Sequence, residues 1–256
     1  MQGDNEVLSI RHLRKALNVI SHFRKTNNSM RFSNKTYNYL DKLSRDRDFV
    51  ISDRQLIIDY LKSQNVQPLD KIIEFQMDFS GLELTITNKP NSTFKASLFS
   101  KEDIKQNTPI DTIEIDGQLY FYCGDHTTAQ FWFVISGSGQ ICTYDNNDET
   151  VNVISSSFDK FIETYAFEDL LGQNKKYEHP YFYNLIDNNS FEILTQNFFQ
   201  HDSASDDYNK WLSDDKLVIH KGTWYDKPTF SIHVYGDSSK QCETFIQLLK
   251  DKQIIS

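Results

Sequence analysis

Residues 112–154 read TIEIDGQLYFYCGDHTTAQFWFVISGSGQICTYDNNDETVNVI, and this stretch decides the fold. Thr112 to Ile115 and Gln118 to Cys123 flank Asp116-Gly117, the turn pair that best signals a two-residue hairpin because both positions tolerate positive φ. Ala129 to Ile135 and Gln140 to Tyr144 flank Ser136-Gly137-Ser138-Gly139, a second hairpin. Asp145-Asn146-Asn147-Asp148 then turns the chain into Thr150 to Ile154. Short strands separated by tight turns predict an antiparallel meander rather than parallel βαβ units.

Upstream the period changes. Leu82, Leu84 and Ile86 alternate with Glu83, Thr85 and Thr87, a half-buried strand. Before Gly81 the chain reads as helix. Leu13, Ala16, Leu17, Ile20 and Phe23 form one apolar stripe between Val7 and Thr26. Ser33 caps a helix carrying Tyr37, Leu40 and Leu43. Ser52 and Gln55 make an S-x-x-Q capping box before Leu56, Ile57, Tyr60 and Leu61. Pro68 starts a further helix with Ile72, Ile73 and Phe75, which Gly81 stops by taking positive φ without steric cost.

Downstream, Ser157 caps a helix from Phe158 to Leu171, which Gly172 ends. Tyr181 to Ile186 and Phe191 to Phe198 read as strands, and Asp206 to Leu212 as a short helix. Lys216 to His220 and Thr229 to Tyr235 read as strands, and Cys242 to Lys250 as a last helix. The expectation is an α+β protein: a mostly antiparallel sheet packed against helices, with a helical N-terminal third and an α/β C-terminal extension. Residues 1–171 form the first unit and 172–256 the extension, either a second domain or an elaboration of the first.

Composition bounds the function. The chain has 256 residues, 38% hydrophobic and 14% aromatic, with 19 Phe and 13 Tyr against 9 Gly and 5 Pro. That is too aromatic for a disordered chain and too poor in Gly and Pro for a fibrous one. The formal charge of −9 hides a gradient. Residues 1–70 carry +4, residues 71–170 carry −10 and residues 171–256 carry −3, and every Arg lies in the first segment. An acidic chain is a poor general nucleic-acid binder, because neutralising phosphates requires clustered Lys and Arg. The gradient reads either as a solvated, mixed-sign surface or as an acidic face that steers a basic partner. The Arg-bearing helix from Arg11 to Lys25, its basic residues mostly off the apolar stripe, reads as a solvated face, the alternative being contact with nucleic acid or an acidic partner. The first residues lack a signal-peptide core and no window has the ~18 apolar residues of a membrane span. Three cysteines without a CxxC pair imply neither a disulfide framework nor a thiolate zinc site. The expected location is cytoplasmic, with no membrane contact.

The order of elements carries a resemblance. Tyr120-Phe121-Tyr122-Cys123-Gly124-Asp125 is followed by Phe131-Trp132-Phe133-Val134-Ile135. Next come Ser138-Gly139-Gln140-Ile141-Cys142-Thr143-Tyr144-Asp145 and then Val153-Ile154-Ser155-Ser156-Ser157-Phe158-Asp159-Lys160-Phe161-Ile162. Upstream stands Ile72-Ile73-Glu74-Phe75-Gln76-Met77-Asp78-Phe79-Ser80-Gly81-Leu82. Over roughly residues 50–171 this pattern resembles the SUKH superfamily, which includes bacterial toxin-immunity proteins and fungal regulators of cell-wall synthesis. The chain departs from it at Pro68-Leu69, where the family usually has Leu-Pro, and at Ser80-Gly81, where Asn-Gly is common. The resemblance implies an α+β fold and a binding role. A bacterial member would neutralise a cognate toxin, often a nuclease, by covering or distorting its active site. Nuclease clefts hold polyanions and tend to be basic, which the acidic 71–170 segment would complement.

No P-loop, GxGxxG, HExxH, GxSxG or kinase signature is present. His220 and His233 on neighbouring strands, with His201, Asp226 or Asp237, are the conceivable metal ligands, yet no pair has a spacing that forces shared coordination. Cys123 and His126 invite a nucleophile reading but lack an orienting third group; Cys123 and Cys142 read better as small apolar strand residues. Phe131 and Phe133 lie on one face of their strand and Trp132 on the other. The favoured reading of Trp132 is a core residue with both faces of the strand covered; the alternative, if one face is open, is an exposed anchor.

The sequence therefore leads to a non-enzymatic, cytoplasmic, immunity-type protein without a cofactor or metal. It would bind a basic toxin domain through Trp132 and the acids Asp111, Glu114, Asp116, Asp125, Asp145, Asp148 and Glu149. The alternatives are a metal-dependent hydrolase using His and Asp of the C-terminal third, and a scaffold or regulator with several partners.

Overall fold

Backbone amides at a helix start need acceptors, and the first helices find them in side chains. The computed structural model describes residues 31–87, 89–126 and 131–256. The helix expected between Val7 and Thr26, with its arginines, lies outside the described residues. α1 (Asn34–Leu40) is capped by Ser33, whose Oγ accepts from the Thr36 amide. α2 (Arg54–Ser63) is capped by Asp53, which accepts from the Gln55 and Leu56 amides, so the Ser52 capping box does not form. α3 (Asp70–Asp78) follows Leu69 without a side-chain cap. The chain then passes Gly81 at φ +88°, as its stop role requires.

Eight strands form one antiparallel sheet: β1 (Ser44–Arg45), between α1 and α2, and then β2 (Leu82–Ile86), β3 (Lys89–Ala96), β4 (Thr112–Ile115), β5 (Gln118–His126), β6 (Trp132–Ser136), β7 (Ile141–Asp145) and β8 (Thr150–Ser155). They run in the order β1-β2-β3-β5-β6-β7-β8, with β4 paired to β5. Asp116 and Gly117, at φ +52° and +75°, form the β4–β5 turn, and Gly139 at +91° helps close the β6–β7 turn. β3 and the short α4 (Lys101–Gln106), with its Ser100/Asp103 capping box, were not anticipated.

α5 (Phe158–Gln173) starts at Ser157, whose Oγ accepts from the Lys160 amide, and runs one residue past Gly172. A second antiparallel sheet contains β9 (Tyr177–Glu178), β10 (Tyr183–Asn184), β11 (Phe199–Gln200), β12 (Asn209–Ser213), β13 (Leu217–Thr223) and β14 (Phe230–Gly236). Its order is β10-β14-β13-β12-β11, with β9 also paired to β14. α6 (Asn188–Leu194) and α7 (Ser239–Asp251) complete the seven helices among the described residues. The fold is α+β.

Two expectations are corrected. The stretch Phe191 to Phe198 is not a strand: α6 occupies its first half, because Asp187 caps it by accepting from the Ser190 amide (3.0 Å) and hydroxyl (2.6 Å). The stretch Asp206 to Leu212 is not a helix but leads into β12. The Asp206 carboxylate accepts from the Tyr208 and Asn209 amides on one oxygen. On the other it accepts from Ser155 Oγ and from the Ser156 amide and hydroxyl, tying β12 to the end of β8.

The largest core joins the inner face of the first sheet to α1, α2, α3 and α5. Phe158 sits edge-on to Phe75 at 4.7 Å, and Phe161 to Phe94 at 5.0 Å. Truncating such a buried ring costs about 3–5 kcal/mol. α5 is apolar on two sides, as expected of a helix sandwiched between layers. Phe158, Phe161 and Tyr165 pack in the first core, while Phe167 and Leu171 pack with Trp211, Val218 and Tyr235 of the second sheet. At the other end the β13–β14 loop is pinned to the first sheet. Thr143 Oγ1 donates to the Tyr225 carbonyl, and Asn152 Nδ2 to the Trp224 and Lys227 carbonyls.

Candidate functional site

Strand alternation sends Phe121, Cys123, Phe133, Ile135 and Ile141 into the helix-covered core, so their neighbours face the other way. Tyr120, Val134, Cys142 and Tyr144 form a separate cluster, with Ile113, Ile115, Tyr122, Val151 and Val153 packed against it. Every one of these residues lies on β4 to β8, so among the described residues strand side chains alone build this outer cluster. Val134 and Cys142 are fully buried at its base. Trp132, opposite Tyr144 in register, sits edge-on to Tyr122 with centroids 5.7 Å apart and is 49% exposed. The reading of Trp132 as a core residue is therefore overturned: one face of β6 is open. Burial with the nearby Asp116 raises the Tyr120 phenol above its ordinary value, and burial with Tyr144 and Asp111 does the same for Tyr122.

The acids divide into two groups by their partners. Arg31 pairs with Asp78 and Asp159, Lys42 with Asp169 and Arg54 with Asp70. Glu163, buried, accepts from the Ser33 amide (2.7 Å), Ser33 Oγ (2.8 Å) and Thr36 Oγ1 (2.6 Å). For Asp169, burial would raise the carboxyl, but hydrogen bonds from Lys42 and Thr87 outweigh it and hold it below its usual range. Arg31 and Lys42 thus neutralise part of the acidity of 71–170, at Asp78, Asp159 and Asp169. Asp111, Glu114, Asp116, Asp125, Asp145, Asp148 and Glu149 are in no ion pair with a described Lys or Arg.

Register places those seven. Gly124 pairs with Phe133 and Trp132 with Tyr144, so Asp125, Trp132 and the Asp145–Glu149 turn share one end of the strands. The Asp111 carbonyl accepts from the Tyr122 amide midway along β5. Asp116, in the β4–β5 turn, lies at the opposite end. Glu114 pairs in register with Leu119, which packs toward the inner core, so Glu114 shares that inner side and is not on the outer face with Trp132. Tyr120, Tyr122 and Tyr144 belong to the outer face and were not singled out from sequence, although the alternation Tyr120-Phe121-Tyr122-Cys123 contains the signal.

The histidines singled out as conceivable metal ligands are engaged in packing and hydrogen bonds. His220 and His233 are direct partners on β13 and β14. His220 stacks on Trp211 (4.1 Å, planes 6° apart) and donates from Nε2 to Asn209 Oδ1. His233 stacks on Phe182 at 4.0 Å and donates from Nε2 to the His179 carbonyl. Burial lowers His220 to about 3 and His233 to about 4, so both rings are neutral at physiological pH. His201 bonds Ser213, and Asp237 pairs with Lys176. Among the described residues no group of three or more His, Cys, Asp or Glu converges as a metal site. Burial pushes the Cys142 thiol up to about 12 and raises Cys123 well above its ordinary value, which leaves neither as an activated nucleophile. No described helix is long and apolar enough to cross a membrane.

Compared with protein-family models, curated proteins and solved structures, the chain finds no match in any of the three.

Proposed function

We propose that this is a protein-binding molecule of the immunity type, whose outer sheet face docks on a basic partner such as a nuclease toxin domain. The observation that carries this reading is the half-exposed Trp132, seated on Tyr122 over a buried small-residue base and rimmed by acids in no ion pair with a described Lys or Arg. An exposed, rigidly seated Trp is the residue type that most often dominates an interface. Covering its remaining surface would remove on the order of 100 Å² of apolar area, worth about 2–3 kcal/mol. Asp125, Asp145, Asp148 and Glu149 beside it supply steering toward a positively charged surface. The resemblance of residues 50–171 to SUKH immunity proteins supports the same role.

The test uses the protein captured by this chain from its native host, produced in pure form. The reading expects a basic partner that is toxic when expressed alone and harmless when this chain is co-expressed. Trp132→Ala should weaken the complex by tenfold or more, and Asp145→Lys with Asp148→Lys should slow association. A partner whose affinity ignores both changes would overturn the reading.

A further inference from the structure

Between the two sheets, alongside α5, packing leaves a cavity of about 400 Å³. That is ample for a small organic ligand. One stripe of α5 lines it: Phe161, Thr164, Tyr165 and Glu168 recur at helical spacing, so a carboxyl stands where the stripe would otherwise be apolar. The walls are aromatic, with Phe131, Phe161, Tyr165, Phe182, Trp224 and Tyr225 all contributing.

Glu168 is poorly provided for. Among the described residues its one hydrogen bond comes from the Tyr235 hydroxyl at 3.3 Å, and no described Lys or Arg pairs with it. Lys89, the cation in the wall, already holds Glu178 at 2.6 Å. His220 gives its Nε2 proton to Asn209, which leaves Nδ1 as an acceptor. Burial raises the Glu168 carboxyl, with Lys89 opposing the shift, and burial beside Glu168 raises the Tyr225 phenol. Glu168 and Tyr225 both line the cavity, so both groups can face an occupant.

We propose that this cavity binds an arylalkyl ammonium ion, its charged head on Glu168 and its ring among the aromatic side chains. A buried carboxylate without a cation is costly, and a ligand that brings one removes that cost. Aromatic faces attract the same charge through their quadrupoles. An anion would meet Glu168 with Lys89 already engaged, and a neutral ligand would leave Glu168 without a paired cation. The site lies on the inner side of the first sheet, so it stands or falls independently of the outer-face reading.

The probes are tryptamine and indole-3-propionate, similar in size and opposite in charge, titrated calorimetrically into the full chain. Tryptamine should bind saturably, with a Kd below about 1 mM and at least tenfold tighter than the anion. Glu168→Gln should weaken tryptamine at least tenfold and remove the preference, while Ser92→Phe, filling the cavity from β3, should weaken both ligands. Equal or tighter binding of indole-3-propionate, no saturation by tryptamine up to about 10 mM, or unchanged tryptamine affinity in Glu168→Gln would each overturn the proposal. The charge preference of the unaltered chain decides it even if a variant does not fold.

Discussion

Replacing His220 with Phe should make the protein less dependent on pH, and the size of the effect follows from the stacked geometry. In the unfolded chain a histidine titrates near ~6.5. In the fold, burial against Trp211 lowers His220 to about 3. Above pH 6.5 the ring is neutral in both states and contributes nothing pH-dependent. Below it the unfolded chain gains a proton that the folded chain refuses, so stability falls with pH until the folded ring titrates in turn. At pH 4.5 the unfolded ring is two units below its midpoint while the folded ring is still neutral. At ~1.4 kcal/mol per unit, the loss is roughly 3 kcal/mol. Phe keeps the stack on Trp211 and loses the hydrogen bond to Asn209, a penalty of about 1 kcal/mol at any pH. The quantity to read is the change in ΔΔG between pH 7 and pH 4.5, from urea titrations of both proteins, because pH-independent packing costs cancel in it. His233 titrates alike in the two proteins and also cancels. A difference of roughly 3 kcal/mol in favour of the variant at the lower pH is expected; the same ΔΔG at both pH values, within about 0.5 kcal/mol, would refute the assignment of His220 as a buried neutral ring.

Glu163→Ala removes the acceptor of three hydrogen bonds that hold the start of α1, and should lower stability by about 3–5 kcal/mol in urea unfolding, with Glu163→Gln losing about half as much. Gly81→Ala should cost about 3 kcal/mol, because φ is +88° and a Cβ would stand 2.4 Å from the Asp46 carbonyl oxygen. Gly117→Ala, at φ +75° with open space around it, should cost about 1 kcal/mol by the same thermal or urea assay. Cys123, Cys142 and Cys242 are all buried, so a thiol reagent at neutral pH should label none of them in the native protein and all three in urea.

Local chemistry made much of the fold legible. The β4–β5 hairpin follows from Asp116-Gly117, the start of α5 from Ser157, and β2 from a clean alternation at Leu82, Leu84 and Ile86. Where reading failed, a second local signal or a distant partner had decided the outcome. Ser52 and Asp53 both offer a capping side chain, and the carboxylate took both amides. The aromatic and β-branched tone of Phe191 to Phe198 suggested a strand, while Asp187 with Ser190 already spelled a helix start. Asp206 looks like a helix cap, but serines about fifty residues upstream claim one of its oxygens. The candidate face was half legible. The acids were visible, but their division into neutralised and free groups depends on pairings such as Lys42 with Asp169, across 127 residues. The cavity was not legible, since Glu168 and Tyr225 come together only when the second sheet packs beside α5.

The outer face is tested most directly by the affinity of the pure partner for this chain and for Trp132→Ala, each measured at low and at moderate salt. The complex of the unaltered chain should weaken steeply as salt rises, since the rim charges are exposed and screened. Trp132→Ala should be weaker by tenfold or more at both salt concentrations and keep the same salt slope. A complex indifferent to salt and to Trp132 would contradict the assignment of this face to partner binding.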